Sequence, residues 1–131
     1  MLNIPFNYVS ENKIKEMSEK SDISQASSLI LAGNNLTDFS LAPLLKNPLL
    51  DMEQMDLSKN TRLTGKGLAG MANKNYSNLK ILDLSETSIG DEGMKYLSEA
   101  KFPKLVALLL KDVDITGKGM EYLSNMEFPQ L

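Results

Sequence analysis

The chain has 131 residues, a formal net charge of −3 and a hydrophobic share of 42%, enough apolar side chain for one packed domain and too much for wholesale disorder. It contains neither cysteine nor histidine, which excludes disulfides, thiolate metal sites and cysteine nucleophiles and removes the side chain most used for proton transfer near neutral pH. Its mild acidity leaves no footprint for nucleic acid, and no apolar run approaches the ~20 residues of a membrane span, so neither is expected as a partner.

The start, Met1-Leu2-Asn3-Ile4-Pro5-Phe6, lacks the basic residues and apolar stretch of a secretory signal. Ser10 is placed to N-cap a helix running to Lys20, with Ile14 and Met17 on one face. Phe6, Tyr8 and Val9 can cover the first leucine layer beyond that helix. Residues 1–25 are therefore expected to form an N-terminal helical cap.

From residue 26 onward the chain repeats itself. Leu79-Lys80-Ile81-Leu82-Asp83-Leu84-Ser85 and Leu105-Val106-Ala107-Leu108-Leu109-Leu110-Lys111 both have the pattern L-x-x-L-x-L-x. At the same offset Ile89 returns as Ile115, Gly93-Met94 as Gly119-Met120, Tyr96-Leu97-Ser98 as Tyr122-Leu123-Ser124, and Phe102-Pro103 as Phe128-Pro129. Upstream, Met52, Met55 and Leu57 fill the leucine positions, followed by Asn60, Leu63, Gly67-Leu68 and Met71, with one extra residue near Thr61-Arg62. Before them come Ala26, Leu29, Leu31, Asn34, Leu36, Leu41 and Leu44. Four repeats thus span 26–131, starting at residues 26, 52, 79 and 105, with an open or truncated C-terminal end at Leu131.

Each repeat holds two periods. The last two leucines of L-x-x-L-x-L stand two apart, on one face of a strand. Met94 and Leu97, Leu68 and Met71, and Leu41 and Leu44 stand three apart, which is helical spacing. Asp91 and Glu92 suit the positive end of their helix, and Pro43 is expected in the first turn of its own. Asn34, Asn60, Thr87 and Val113 share the turn position after the strand, so side-chain hydrogen bonding there should lapse toward the C-terminus. Thr64-Gly65-Lys66-Gly67 and Thr116-Gly117-Lys118-Gly119 lack phosphate-loop spacing and are expected as turns into the helices.

The pattern L-x-x-L-x-L-x-x-N-x-L resembles the leucine-rich-repeat signature, and Ile89-Gly90-Asp91-Glu92-Gly93-Met94 resembles an element of ribonuclease-inhibitor-like repeats and their bacterial relatives. The resemblance implies an α/β fold: a right-handed solenoid bent into a horseshoe arc, with a parallel sheet on the concave side and helices on the convex side. It implies an internal asparagine bonded to adjacent turns. It also implies a protein–protein interaction module rather than an enzyme, without cofactor or metal. Such a module is expected to be soluble, either cytoplasmic or delivered into a host cell as a bacterial effector-type protein. The alternative is a structural spacer or cap in a larger multidomain protein.

The expected partner-binding face is formed by the outward strand positions: Ser28, Ile30 and Ala32; Gln54, Asp56 and Ser58; Ile81, Asp83 and Ser85; Ala107, Leu109 and Lys111. Asp56 and Asp83 share a column, flanked by Ile30 and Leu109, and paired carboxylates can contact a basic partner or simply stay solvated. No nucleophile accompanies them, so catalysis is not expected. The apolar strand at 105–111 is an edge that invites pairing with a further repeat or with a second copy of the chain, unless the last helix folds over it.

Overall fold

A computed structural model describes residues 2, 3, 16, 19, 23 and 25–130. Ser10, Ile14, Met17 and Lys20 of the expected cap helix, its companions Phe6, Tyr8 and Val9, and Leu131 lie outside the described residues. Glu16, Glu19, Ile23 and Gln25 are helical, and Ile23 is fully buried.

Among the described residues five short strands form one parallel sheet: β1 (Leu2–Asn3), β2 (Ser28–Ile30), β3 (Gln54–Asp56), β4 (Ile81–Asp83) and β5 (Ala107–Leu109). They lie side by side in chain order. β1 adds a strand to a segment expected to be helical, pairing Leu2 with Leu29 and Asn3 with Ile30. The remaining pairings keep the repeat register, with Leu29, Met55, Leu82 and Leu108 in one row. Parallel strands need a crossover between them. Here it is made by helix α1 (Asp38–Leu45), a 3₁₀ helix (Gly65–Met71), α2 (Gly90–Ser98) and α3 (Gly117–Ser124).

Local chemistry decides how each helix begins. Thr37 caps α1 by accepting from the Ser40 N–H, while the Ser40 hydroxyl accepts from the Thr37 N–H. That box starts the helix well ahead of Pro43, which therefore sits inside α1 rather than in its first turn. In the second repeat the crossover is a 3₁₀ helix, although the sequence left the helix type open. Gly65, Gly67 and Gly70 weaken an α-helix there, and residues three apart match the 3₁₀ period.

The apolar rows fill the space between sheet and helices. Leu31, Leu57 and Leu84 are fully buried, as are Met94 and Leu97, while their fourth-repeat counterparts Leu110 and Leu123 are only half-buried. Every extensive contact between described elements joins neighbours: each strand to the next, and each helix to the next.

The turn row carries the polar part of the core. Asn60, with no exposed surface, accepts from the Asn34 and Leu36 N–H groups at 3.0 and 2.9 Å. Its amide donates to the carbonyls of Leu31, Leu57 and Ser58. One side chain thus joins two repeats and satisfies buried backbone on both. Thr87 donates only to the Leu84 carbonyl of its own turn, at 2.7 Å, and Val113 is buried without polar atoms. The extra residue of the second repeat fits this decline. Thr61 and Arg62 are exposed, and the Leu63 N–H bonds the Asn60 carbonyl at 3.0 Å, so it does not wait for a side chain from Thr87 as Leu36 does for Asn60.

Candidate functional site

The parallel register sets two outward columns on the sheet. Ser28, Gln54, Ile81 and Ala107 form one; Ile30, Asp56, Asp83 and Leu109 form the other. The second column runs apolar, acid, acid, apolar. Gln54, Asp56, Ile81, Asp83, Ile30 and Ala107 are half-buried, and Leu109 is 42% exposed. In the third expected row Ala32 is half-buried and Lys111 is exposed, whereas Ser58 and Ser85 are buried. Ser28 is buried too. The three serines therefore offer almost no surface, and the face that remains is narrower than the alternation of residues implied. Ser58 and Ser85 lie two residues past the ends of β3 and β4, and the Ser85 hydroxyl accepts from the Lys111 N–H at 3.2 Å.

Both aspartates also serve the fold. Asp56 accepts from the Ser58 N–H at 2.9 Å, and Asp83 from the Ser85 N–H at 3.0 Å. Each closes a local turn at the end of its strand, which fixes the direction of its carboxylate. The recurring Asp-Leu-Ser at 56–58 and 83–85 was the available signal. Each carboxylate uses one oxygen in this bond, and the second oxygen can receive a donor from a partner. Beside the columns Lys80 bonds Glu53 at 2.8 Å, and this ammonium holds the Glu53 carboxyl below the ordinary carboxylate range. Both partners are about half exposed, so the pair adds little to stability.

On the helix side lies a pairing that sequence reasoning missed. Asp38 in the first turn of α1 accepts from the Thr64 N–H at 2.8 Å and from the Thr64 hydroxyl. Asp91 in the first turn of α2 accepts from the Thr116 N–H at 2.8 Å, the Gly119 N–H at 3.0 Å and the Thr116 hydroxyl. The Thr116 bonds, with Gly119, hold the Asp91 carboxyl below its ordinary range. Gly67 and Gly119 leave room for these carboxylates: a Cβ on Gly67 would fall 2.6 Å from Asp38 Oδ1, and one on Gly119 would also collide with Asp91. Thr-Gly-Lys-Gly is thus a receptor for the preceding repeat's aspartate, consistent with a turn into the helix and with no phosphate cradle. Its recurrence in alternate repeats, each after a repeat with Asp at the helix start, was the signal.

Away from the strand face, a depression of about 550 Å³ lies among the loops after α2 and α3, lined by Lys101, Pro103, Glu127 and Pro129. No described residues form a group of three or more acidic side chains able to hold a metal ion. No described helix is long and apolar enough to cross a membrane.

With strand, turn and helix in place, a comparison of families bears on the third repeat. Residues 77–98 match the family described as leucine-rich repeat. The matched segment contains β4, the Thr87 turn and α2, and it supports a leucine-rich-repeat protein. No curated protein matches the chain. Leucine-rich repeats are commonly protein-interaction modules, and the remaining repeats carry β3 and β5 beside the matched one in the same register.

Proposed function

We propose that the chain is a leucine-rich-repeat solenoid of the ribonuclease-inhibitor-like type that binds a protein partner on the concave face of its sheet. The observation that carries this reading is the column Ile30, Asp56, Asp83 and Leu109, aligned across four adjacent strands and open on the side away from the helices. Two carboxylates between apolar ends fit a partner segment with a basic residue flanked by apolar ones. Ile81 and Gln54, in the parallel column, widen that footprint. The I-G-D-E-G-M element at 89–94 supports placement near the bacterial relatives of this subfamily.

The reading is binding without catalysis. It is supported by the absence of histidine and cysteine from the chain, and by the use of one oxygen each of Asp56 and Asp83 to close a turn. The test is capture of a partner on the immobilised chain, with the double variant Asp56→Lys and Asp83→Lys alongside. The expected result is a partner that the native chain retains and the variant loses, both showing the same secondary structure by circular dichroism. Retention by both would overturn the assignment of this face. Capture by neither would favour a structural spacer.

A further inference from the structure

We propose that the cleft between the loops after α1 and after the 3₁₀ helix docks a protein segment in which an acidic residue stands beside an apolar one. None of the residues lining it belongs to the strand columns, so the inference is independent of the partner reading above.

The cleft opens where the stacking of loops lapses. Between the second and third repeats the loops that follow the helices are zipped together. The Asn73 N–H donates to the Glu99 carbonyl at 2.8 Å, the Tyr76 N–H to that of Lys101 at 2.9 Å, and the Lys101 N–H to that of Lys74 at 2.8 Å. Among the described residues the loop after α1 makes no corresponding bond to the loop after the 3₁₀ helix. Asn47 turns back to its own helix instead. Its N–H bonds the Leu44 carbonyl at 3.2 Å, and its amide donates to the Pro43 and Leu44 carbonyls at 3.3 Å. Farther along the same loop the Asn78 amide holds the Leu50 carbonyl at 2.7 Å. The space left open is about 290 Å³. The flanking repeats contribute β2 and β3, both interior to the sheet, so this surface does not arise at an end of the array.

Its walls are apolar. Pro48, Leu49 and Leu50 come from one loop and Tyr76 from the other. Tyr76 is buried and stacks on Phe102 with ring centroids 5.5 Å apart, which fixes the ring. Its hydroxyl is closed off from solvent without a hydrogen-bond partner, so the wall presents carbon. Leu50 is 54% exposed, and an apolar side chain seated beside it would remove that surface from water.

Charge decides the occupant. Lys46 and Lys74 both line the cleft, and no acidic side chain does. Neither lysine forms an ion pair or a side-chain hydrogen bond among the described residues. Two cations without counter-ions beside an apolar recess complement a carboxylate attached to an apolar group. Lys74 is half-buried, and burial holds its ammonium below the ordinary lysine range. A carboxylate arriving there offsets that cost. The volume falls just under the roughly 300–1,000 Å³ typical of small-molecule sites. It suits an apolar side chain, with the lysines left for a neighbouring Asp or Glu. A peptide segment supplies both groups at a fixed spacing.

Fluorescence polarisation of labelled synthetic peptide pools on the full chain is the test. One pool fixes Asp next to Leu, a second replaces that Asp by Lys, and a third replaces that Leu by Ser. The first pool is expected to bind best. Lys46→Glu together with Lys74→Glu should weaken it by about tenfold, since two attractions become repulsions. Lys66→Glu together with Lys95→Glu makes the same change in net charge at exposed positions outside the cleft, and should cost far less. Circular dichroism on each variant separates loss of docking from loss of fold. No binding by any pool, equal binding of the Lys or Ser pool, or equal losses for the two double variants would overturn the proposal. A dimer in sedimentation that the Lys46 and Lys74 substitutions abolish would assign the cleft to a second copy of the chain and overturn it as well.

Discussion

The turns after β2 and β3 and those after β4 and β5 occupy one position in the repeat but are held by different forces. In the first pair a buried asparagine stitches backbone to backbone across the junction. In the second, a threonine bonded within its own turn is followed by a valine that contributes only apolar contact. The leucine rows change in the same direction, from fully buried Leu84 to half-buried Leu110. Polar satisfaction and apolar burial both weaken toward the fourth repeat, so equal substitutions should not have equal effects.

The sharpest break of this contrast is Asn60→Ala. It strands two buried N–H groups and three carbonyls, and should cost about 4 kcal/mol in chemical denaturation. Val113→Ala, at the corresponding position, removes only methyl groups and should cost about 1 kcal/mol. Next comes the leucine pair. Leu84→Ala should cost about 3 kcal/mol and Leu110→Ala about half as much, because Leu110 already keeps part of its surface in water. Equal losses for the two would contradict the gradient.

Smaller effects belong to the aspartates of the sheet. Asp56→Ala or Asp83→Ala should each cost about 1 kcal/mol, since each removes one local hydrogen bond from a turn that stays solvated. Partner binding should suffer far more than the melting temperature. The least effect is one of acid response. The Asp91 carboxyl is depressed in the fold, so its contribution is complete above the ordinary carboxylate range and disappears as the pH falls through the depressed value. Asp91→Asn should therefore flatten the acid limb of a pH–stability curve relative to the native chain. An unchanged limb would show that the bonds to Thr116 do not hold in solution.

Much of this architecture was legible in the spacing of leucines. Positions two apart on a three-residue strand leave one choice of inward face, and a constant offset fixes which residues align, so the Asp56–Asp83 column emerged directly. Helix starts were less legible because they depend on single side chains. The Thr37–Ser40 box moved α1 ahead of Pro43, and three glycines turned the second crossover into a 3₁₀ helix. The candidate face was partly legible. The register aligns Ile30, Asp56, Asp83 and Leu109 in one column and Gln54, Ile81 and Ala107 in the other, as alternation expects. Alternation did not show that Ser28, Ser58 and Ser85 are buried, because it gives a side chain's register and not how far its neighbours cover a small one. The clasp of Asp38 on Thr64 was hidden because its partners lie in different repeats, and a search for local motifs does not compare one repeat's helix start with the next repeat's turn.

Among the described elements, extensive contacts run between neighbours, so each layer leans chiefly on the next. Such a chain can lose order from one end while the remainder stays intact. Amide exchange should then rise in steps along the sequence, fastest beyond β5 and slowest around Asn60. Pulling on the fourth repeat should peel it away before the asparagine-stitched layers yield.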